Sequence, residues 1–235
     1  MGKDLIQQRR GRGSHVYKSR SFKFKGKVKY FSILNMMNAQ TGVIKNILNC
    51  PGHTAPLMEV ATANEICLIV APEGVKIGDK VNVGAPKKEG DIGALGEIPI
   101  GMSVFNIESK PGDGGKFVRA SGGFAKIVAR NGNVVQIRLP SKKLKDFNVK
   151  CRATLGRIAG SGRTEKPYIK AGAKHHKMRA KGKLYPRSSG VAMNAVDHPF
   201  GGSSSSTKGR PTIAPRNAPP GRKVGKIRPS RTGKR

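Results

Sequence analysis

Phe124-Ala-Lys-Ile-Val-Ala-Arg-Asn-Gly-Asn-Val-Val-Gln-Ile-Arg-Leu139 is the stretch that decides the fold class. Two apolar runs, Phe124–Arg130 and Val134–Leu139, flank Asn131-Gly132. Asn-Gly supplies the positive φ angles of a type I′ turn, whose twist suits a tight hairpin. After the turn Val135, Ile137 and Leu139 share one face, and Val134, Gln136 and Arg138 share the other. That period of two predicts a half-buried strand.

The same grammar extends on both sides. Short apolar runs separated by Gly, Pro and Asp turns predict strands at Gly42–Leu48, Pro56–Ala61, Ile66–Ala71, Lys80–Gly84 and Met102–Glu108. The run Ile66-Cys67-Leu68-Ile69-Val70 is continuously apolar, as for a strand buried on both sides. Five such strands suggest a small closed or partly closed barrel. A second β unit, about residues 108–160, holds the Asn131-Gly132 hairpin and a strand at Cys151–Ile158. Lys87–Ile100, rich in Gly and Pro, reads as a linker. From Ser161 onward the strands stop. Lys170–Lys183 has the composition of a short helix formed on binding, weakened by Gly172 and Gly182. Residues 186–235 read as irregular and extended. At the other end, Gln7-Gln-Arg-Arg-Gly-Arg-Gly-Ser14 reads as an extended arm, whereas Arg20–Lys29 alternates with period two and suits a sheet edge.

Charge divides the chain in the same way. The 235 residues carry 46 Lys or Arg against 13 Asp or Glu, a net +33. Residues 1–30 hold +9, residues 31–150 only +5, and residues 151–235 hold +19. In that last stretch 21 cations face only Glu165 and Asp197. Such a segment buries too little apolar surface to offset the entropy of ordering, so it must order on a dense polyanion. Nucleic acid is that partner. With no Trp and 12 Phe or Tyr, contacts to phosphate and sugar are favoured over rows of stacked bases. A basic DNA-compacting protein satisfies the same composition. Cys50, Cys67 and Cys151 have no framework spacing, which fits reduced thiols in a cytosolic compartment. No apolar run approaches the ~20 residues of a membrane helix, and the basic start is followed by no signal-type apolar stretch.

The candidate phosphate ligands follow the arms. In the N-terminal arm they are Arg9, Arg10, Arg12, Lys23 and Lys25. Beside the second β unit they are Arg157, Arg163, Lys170, Lys174 and Lys177. His175, His176, Arg179 and Lys181 continue that cluster, and the tail adds Arg187, Arg210, Arg216, Arg222 and Lys223. Arg157-Ile-Ala-Gly-Ser-Gly-Arg163 contains Gly-x-Gly but lacks the Lys-Ser/Thr and the helix of a nucleotide loop, so it reads as a turn that sets two arginines against a backbone. Cys50-Pro-Gly-His53 has the spacing of half a zinc site. Its second half is missing, and a turn with a surface histidine is the reading kept. Asp197-His198 suggests an acid–base pair, yet adjacent side chains diverge, and an irregular segment does not position a catalytic group. Pro199 biases His198 toward an extended backbone, which a bound nucleic acid would brace.

Gly190-Val-Ala-Met-Asn-Ala-Val-Asp-His-Pro-Phe-Gly-Gly202, with Ala218-Pro-Pro-Gly-Arg-Lys-Val-Gly225 and the ending Arg231-Thr-Gly-Lys-Arg235, resembles the family of the second universal protein of the large ribosomal subunit. Gln7–Ser14, His53-Thr-Ala-Pro-Leu57, Ala71-Pro-Glu-Gly-Val75, Lys110-Pro-Gly-Asp-Gly-Gly115, Arg119-Ala-Ser-Gly122, Cys151-Arg-Ala-Thr-Leu-Gly156 and Lys170-Ala-Gly172 match as well. The opening arm and the HPFGG form look archaeal. The resemblance implies a mainly β protein: a basic extension over 1–35, an OB-like barrel over 36–105, an SH3-like barrel over 106–175 and a basic extension over 176–235. It implies no enzyme and no cofactor beyond Mg²⁺ carried by ribosomal RNA. The implied partners are large-subunit RNA, neighbouring large-subunit proteins and the small subunit across an intersubunit contact, with no membrane. It places Met193, Asn194, Asp197, His198, Gly201 and Gly202 near the peptidyl transferase centre, where RNA performs the chemistry. Ala195 stands where the family usually has Pro, and Ser203 where a third Gly is usual. The backbone is thus less restricted at Ala195, and the Ser203 hydroxyl becomes a candidate for bonding to RNA.

Overall fold

The computed structural model describes residues 2–32, 40–202 and 213–229. The chain is mainly β and forms two compact units. Ser21–Tyr168 is one unit. The described residues of Met1–Arg20 and Ile169–Arg235 form the other.

The β unit carries ten strands: β1 Gln40–Leu48, β2 Leu57–Ala61, β3 Ile66–Val70, β4 Lys80–Val83, β5 Ile92–Ala94, β6 Ser103–Phe105, β7 Ala125–Asn131, β8 Val134–Arg138, β9 Leu144–Asn148 and β10 Arg152–Leu155. They join in one sheet, ordered β3-β2-β1-β4-β5-β10-β6-β7-β8-β9. Only the β4–β5 pair is parallel. β10 lies between β5 and β6, so the last of these ten strands in sequence ties the two halves of the sheet together. One apolar cluster centres on Ile44, Met58, Ile69 and Ile92, another on Ile107, Ile127, Ile137 and Leu155. A third, with Cys50, Leu57, Phe105 and Ile158, draws on both halves of the sequence.

The predicted hairpin is present, with a different turn. Asn131 pairs with Val134, so the loop is Gly132-Asn133. Gly132 has φ +54°, and Asn133 does not share the positive angle. A type I′ turn needs it at both positions; glycine first, alone, is the type II′ pattern. Val135 and Ile137 are fully buried, as their shared face requires.

Three sequence expectations are corrected. Ile66–Val70 is not buried on both sides: β3 is the outer strand of the sheet and Ile66 is 61% exposed. Lys87–Ile100 is no linker, since it contains β5 and the fully buried Asp91, Leu95 and Ile98. Asp91 accepts hydrogen bonds from the backbone N–H groups of Asn82, Lys87 and Lys88 and from the Asn82 side chain. Four donors on one carboxylate make its burial tolerable. Strands also do not stop at Ser161. In the second unit β11 Ile213–Ala214 pairs in parallel with β12 Lys226–Ile227. Of Arg20–Lys29, Ser21–Lys23 forms a 3-10 helix instead, and only the part after it behaves as an edge segment that runs on to Phe31: Val28 and Tyr30 are buried, Lys27 and Lys29 exposed, and Lys29 N–H donates to the Leu68 carbonyl of β3.

A buried ion pair fastens this segment inside the unit. Glu108 is fully buried and receives Arg152 Nε at 2.9 Å and Nη2 at 2.6 Å on one oxygen. Backbone N–H groups of Arg152 and Gly112 donate to its second oxygen, and Gly114 N–H donates to the first. Arg152 Nη1 donates to the Phe31 carbonyl at 2.6 Å, and its guanidinium lies 5.3 Å from the Tyr30 ring centre. Tyr30 Oη donates to the Asn106 carbonyl, and burial pushes the phenol far above its ordinary pKa. Removing one partner of such a pair strands a buried charge, which costs about 3–5 kcal/mol. Arg152→Met alone is therefore expected to lower the unfolding free energy by that amount in urea titration. Glu108→Leu combined with Arg152→Met should recover most of the loss.

Candidate nucleic-acid interface

In the β unit the turn after β10 organises a basic surface. Gly160, in the left-handed region at φ +79°, starts a short 3-10 helix, Ser161–Thr164. That helix sets Arg163 so that Nε donates to Ser121 Oγ at 2.8 Å, and Ser121 N–H donates to Thr54 Oγ1. Arg157 lies with its guanidinium 4.6 Å from the Phe124 ring centre, a cation–π contact that orients the head and leaves its donors free to face outward. Arg119, which sequence reasoning missed, donates to the Gly115 carbonyl and lies near His53. His53 is half-buried rather than on the surface, with Nδ1 3.1 Å from Cys50 Sγ. Burial, and then the Arg119 charge, push its pKa down. Among the described residues no cluster of three or more His, Cys, Asp or Glu suits a metal. Lys23 and Lys25 are exposed on this unit as well.

Lys110-Pro-Gly-Asp113 is held by its own acid. Burial raises the Asp113 pKa, but hydrogen bonds from Gly115, Ser109 and Lys110 N–H and from the Lys116 ammonium outweigh it and hold the carboxyl below its ordinary value. A depressed folded pKa contributes stability above the unfolded pKa that is lost as pH falls through the folded one. Stability is thus expected to fall below about pH 4, and Asp113→Asn should flatten that limb of the stability–pH curve.

In the second unit a helix, α1 Ile6–Gly11, replaces the expected extended arm. Gln8 Oε1 accepts the Leu5 N–H, which satisfies one free donor of the first turn. Leu5 is buried, Arg9 and Arg10 are exposed, and Arg12 pairs with Asp4 at 2.6 Å. Helix α2 spans Ala171–Ala180 and buries no side chain. Gly182 does not weaken it but ends it. Gly182 N–H reaches the Arg179 carbonyl and Lys183 N–H the Met178 carbonyl, with Gly182 at φ +62°. This is the Schellman pattern, where glycine carries the left-handed angle at no steric cost. α2 presents Lys174, His175, His176, Lys177 and Arg179, with Lys170 before it and Lys181 after it. Lys177 and Arg179 in the last turn complement the helix dipole. A largely polar helix that buries none of its residues fully lacks much of the burial that normally stabilises one, and so wants a partner. Arg187, Arg216, Arg222 and Lys223 are exposed, and Arg210 and Ser203 lie outside the described residues.

Gly190–Gly202 is a compact knot rather than an extended strand. Gly190–Ala192 forms a 3-10 turn. Asp197 and His198 N–H groups both donate to the Asn194 carbonyl, Gly201 N–H to His198, and Gly202 N–H to Met193. The His198 ring lies directly against Gly190 and 5.1 Å from the Phe200 ring centre. Any side chain at Gly190 would strike that ring, and one at Gly201 would strike the Met193 and Asn194 carbonyls. His198 Nδ1 accepts the Phe200 N–H at 3.0 Å, which assigns the proton of the neutral ring to Nε2. Burial lowers its pKa and favours that neutral form. The Asp197 carboxylate points elsewhere, 3.7 Å from Lys3 Nζ.

Residues 88–220 match the family described as Ribosomal Proteins L2, C-terminal domain. The whole chain is 50% identical to a protein named large ribosomal subunit protein uL2 from Methanothermobacter thermautotrophicus, covering all of both. It is 51% identical to the protein of that name from Methanocaldococcus jannaschii, again over all of both chains. The chain belongs to the ribosomal protein L2 family, in its archaeal form. The family match takes in the Arg157–Arg163 turn, α2, the Gly190–Gly202 knot and Arg216. Arg222, Lys223 and the N-terminal arginines are reached only by the full-length relatives.

Proposed function

We propose that the chain is a structural, RNA-binding constituent of the large ribosomal subunit, acting beside the peptidyl transferase centre without performing chemistry itself. The charge of the second unit carries this reading. Across Met1–Arg20 and Ile169–Arg235 there are 23 Lys or Arg and two acids, Asp4 and Asp197. Both acids already have cationic partners within the unit. The remaining cations await phosphates, and contacts of that kind are released by salt. The relatives are named as proteins of the large ribosomal subunit, and this reading takes that subunit's RNA as the polyanion. The OB-like and SH3-like barrels implied by resemblance, over 36–105 and 106–175, would hold the two arms at the RNA. Neighbouring large-subunit proteins and the small subunit complete the set of partners, in the cytoplasmic ribosome.

The knot geometry supports positioning over catalysis. Asp197 pairs with Lys3, and His198 gives Nδ1 to a backbone N–H, so the two do not form a relay. Nε2–H remains as a donor for an RNA oxygen. His198→Gln keeps a donor and removes the imidazole. Large subunits carrying it are expected to assemble, and peptide-bond formation should fall by well under the ~10²-fold that general acid–base catalysis supplies, with its pH profile unchanged. A hundredfold loss in assembled subunits would instead assign a proton-transfer role.

Arg157, Arg163, Lys170, Lys174 and Lys177 test the interface directly. Each single Ala replacement is expected to lower the slope of log affinity against log salt by about one in binding to large-subunit RNA. Five unchanged slopes would remove these residues from the interface. Equal affinity for duplex DNA at matched salt would favour the DNA-compacting reading.

A further inference from the structure

The second unit contains a recess lined by two of the candidate phosphate ligands, His175 and Arg179. Residues 17–19 pass against the turn that ends α2, and only a glycine at 182 permits it: an added Cβ would meet Ser19 N at 2.9 Å and the Lys18 carbonyl carbon at 3.1 Å. Between these strands of chain lies a cavity of about 330 Å³. Lys18, Arg20, Arg179 and Lys183 line it, together with the rings of His175 and Tyr185. Among the described residues no carboxylate lines it, and both acidic side chains of this unit are engaged elsewhere, Asp4 with Arg12 and Asp197 with Lys3. Tyr185 is half-buried, with Lys174 Nζ 5.1 Å from its ring centre.

This lining selects its occupant. Four cations without a carboxylate demand an anion. A lone phosphate would leave most of the space and the rings unused, since pockets for small organic ligands begin at roughly 300 Å³. A duplex carries its phosphates on a convex surface and would bridge the mouth without reaching Tyr185. We propose that this cavity receives a single unpaired nucleotide of the RNA, its phosphate held by Arg20, Arg179 and Lys183 and its base laid against Tyr185. The inference rests on the ribosomal RNA reading and specifies which form of RNA this surface takes. Unpairing costs least for a base already outside a helix, so a bulge or loop nucleotide is the ligand. One such site is consistent with a chain too poor in aromatics for a stacking row.

The test uses purified large subunits carrying the full chain. With p-azidophenylalanine at position 185, ultraviolet crosslinking followed by reverse transcription is expected to map to one nucleotide, unpaired in the RNA. In Tyr185→Ala subunits the reactivity of that base toward a base-specific alkylating agent should change about tenfold, the size of one lost stacking contact. Tyr185→Phe should leave it as in the parent. Crosslinks spread along a duplex, crosslinks to another protein, or unchanged reactivity would overturn the proposal while the chain still sediments with the subunit. Should Tyr185→Ala subunits fail to assemble, the crosslink position decides alone. Failure of the parent chain to sediment with large subunits through a high-salt wash would overturn the ribosomal reading itself, and this proposal with it.

Discussion

The ion pair of Glu108 and Arg152 is the constraint on which the β unit depends. Arg152 opens β10, the strand that joins the two halves of the ten-stranded sheet. Glu108 lies just beyond β6 and collects N–H donors from Gly112 and Gly114. Through Nη1 the same arginine grips Phe31, so the pair binds the segment before β1, the junction strand and the loop after β6 at one point. A buried pair of this kind contributes little net stability against an apolar substitute, because desolvation of both charges opposes their attraction. What it contributes is discrimination. A one-residue slip of β10 against β6 would remove the guanidinium from its carboxylate and leave both buried and unpaired. The apolar clusters on either side do not discriminate in this way, since Val, Ile and Leu tolerate exchange of neighbours.

The second unit rests on a different balance. It holds few buried side chains, among them Leu5, Phe200 and Ala214. Its order comes from backbone hydrogen bonds in tight turns and from glycines that admit close approach, while its cations repel one another. Neutralising six to ten of them with phosphates would relieve that repulsion and release counterions together. Folding of this unit and binding of the polyanion are in that sense one process.

Much of the β unit was legible because its signals are local. The hairpin at Gly132, the paired apolar faces of Val135 and Ile137, and most strand positions follow from alternation and turn chemistry. β5 and β9 were not legible, each for a physical reason. β5 is three residues long, and its Gly93 leaves room for Pro86, so the segment has the composition of a loop. β9 lies at the sheet edge with only Phe147 buried, so its pattern is nearly all polar. The basic candidates were legible from charge, because solvated cations need no partner in the chain. Arg119 and the cavity at Tyr185 were hidden, since both arise from segments far apart in sequence.

The glycines of Gly190–Gly202 mark the limit of reading a motif as a contact surface. Their sequence suggests room for RNA to approach. In the structure that room is already filled from within: the His198 ring covers Gly190, and two carbonyls crowd Gly201. Gly202, at φ +90°, brings Ala195 so near that an added Cβ would lie 2.8 Å from the alanine Cβ. The motif is therefore first a device for closing a five-residue turn around one imidazole. Its Nδ1 is occupied by Phe200 N–H and its ring is packed against Gly190 and Phe200, which is how an imidazole is held in one orientation without a scaffold of regular structure. Ala195 sits inside that turn, where a proline would stiffen the same geometry. The cost of the alanine falls on the freedom of the unbound chain rather than on any contact of the folded one.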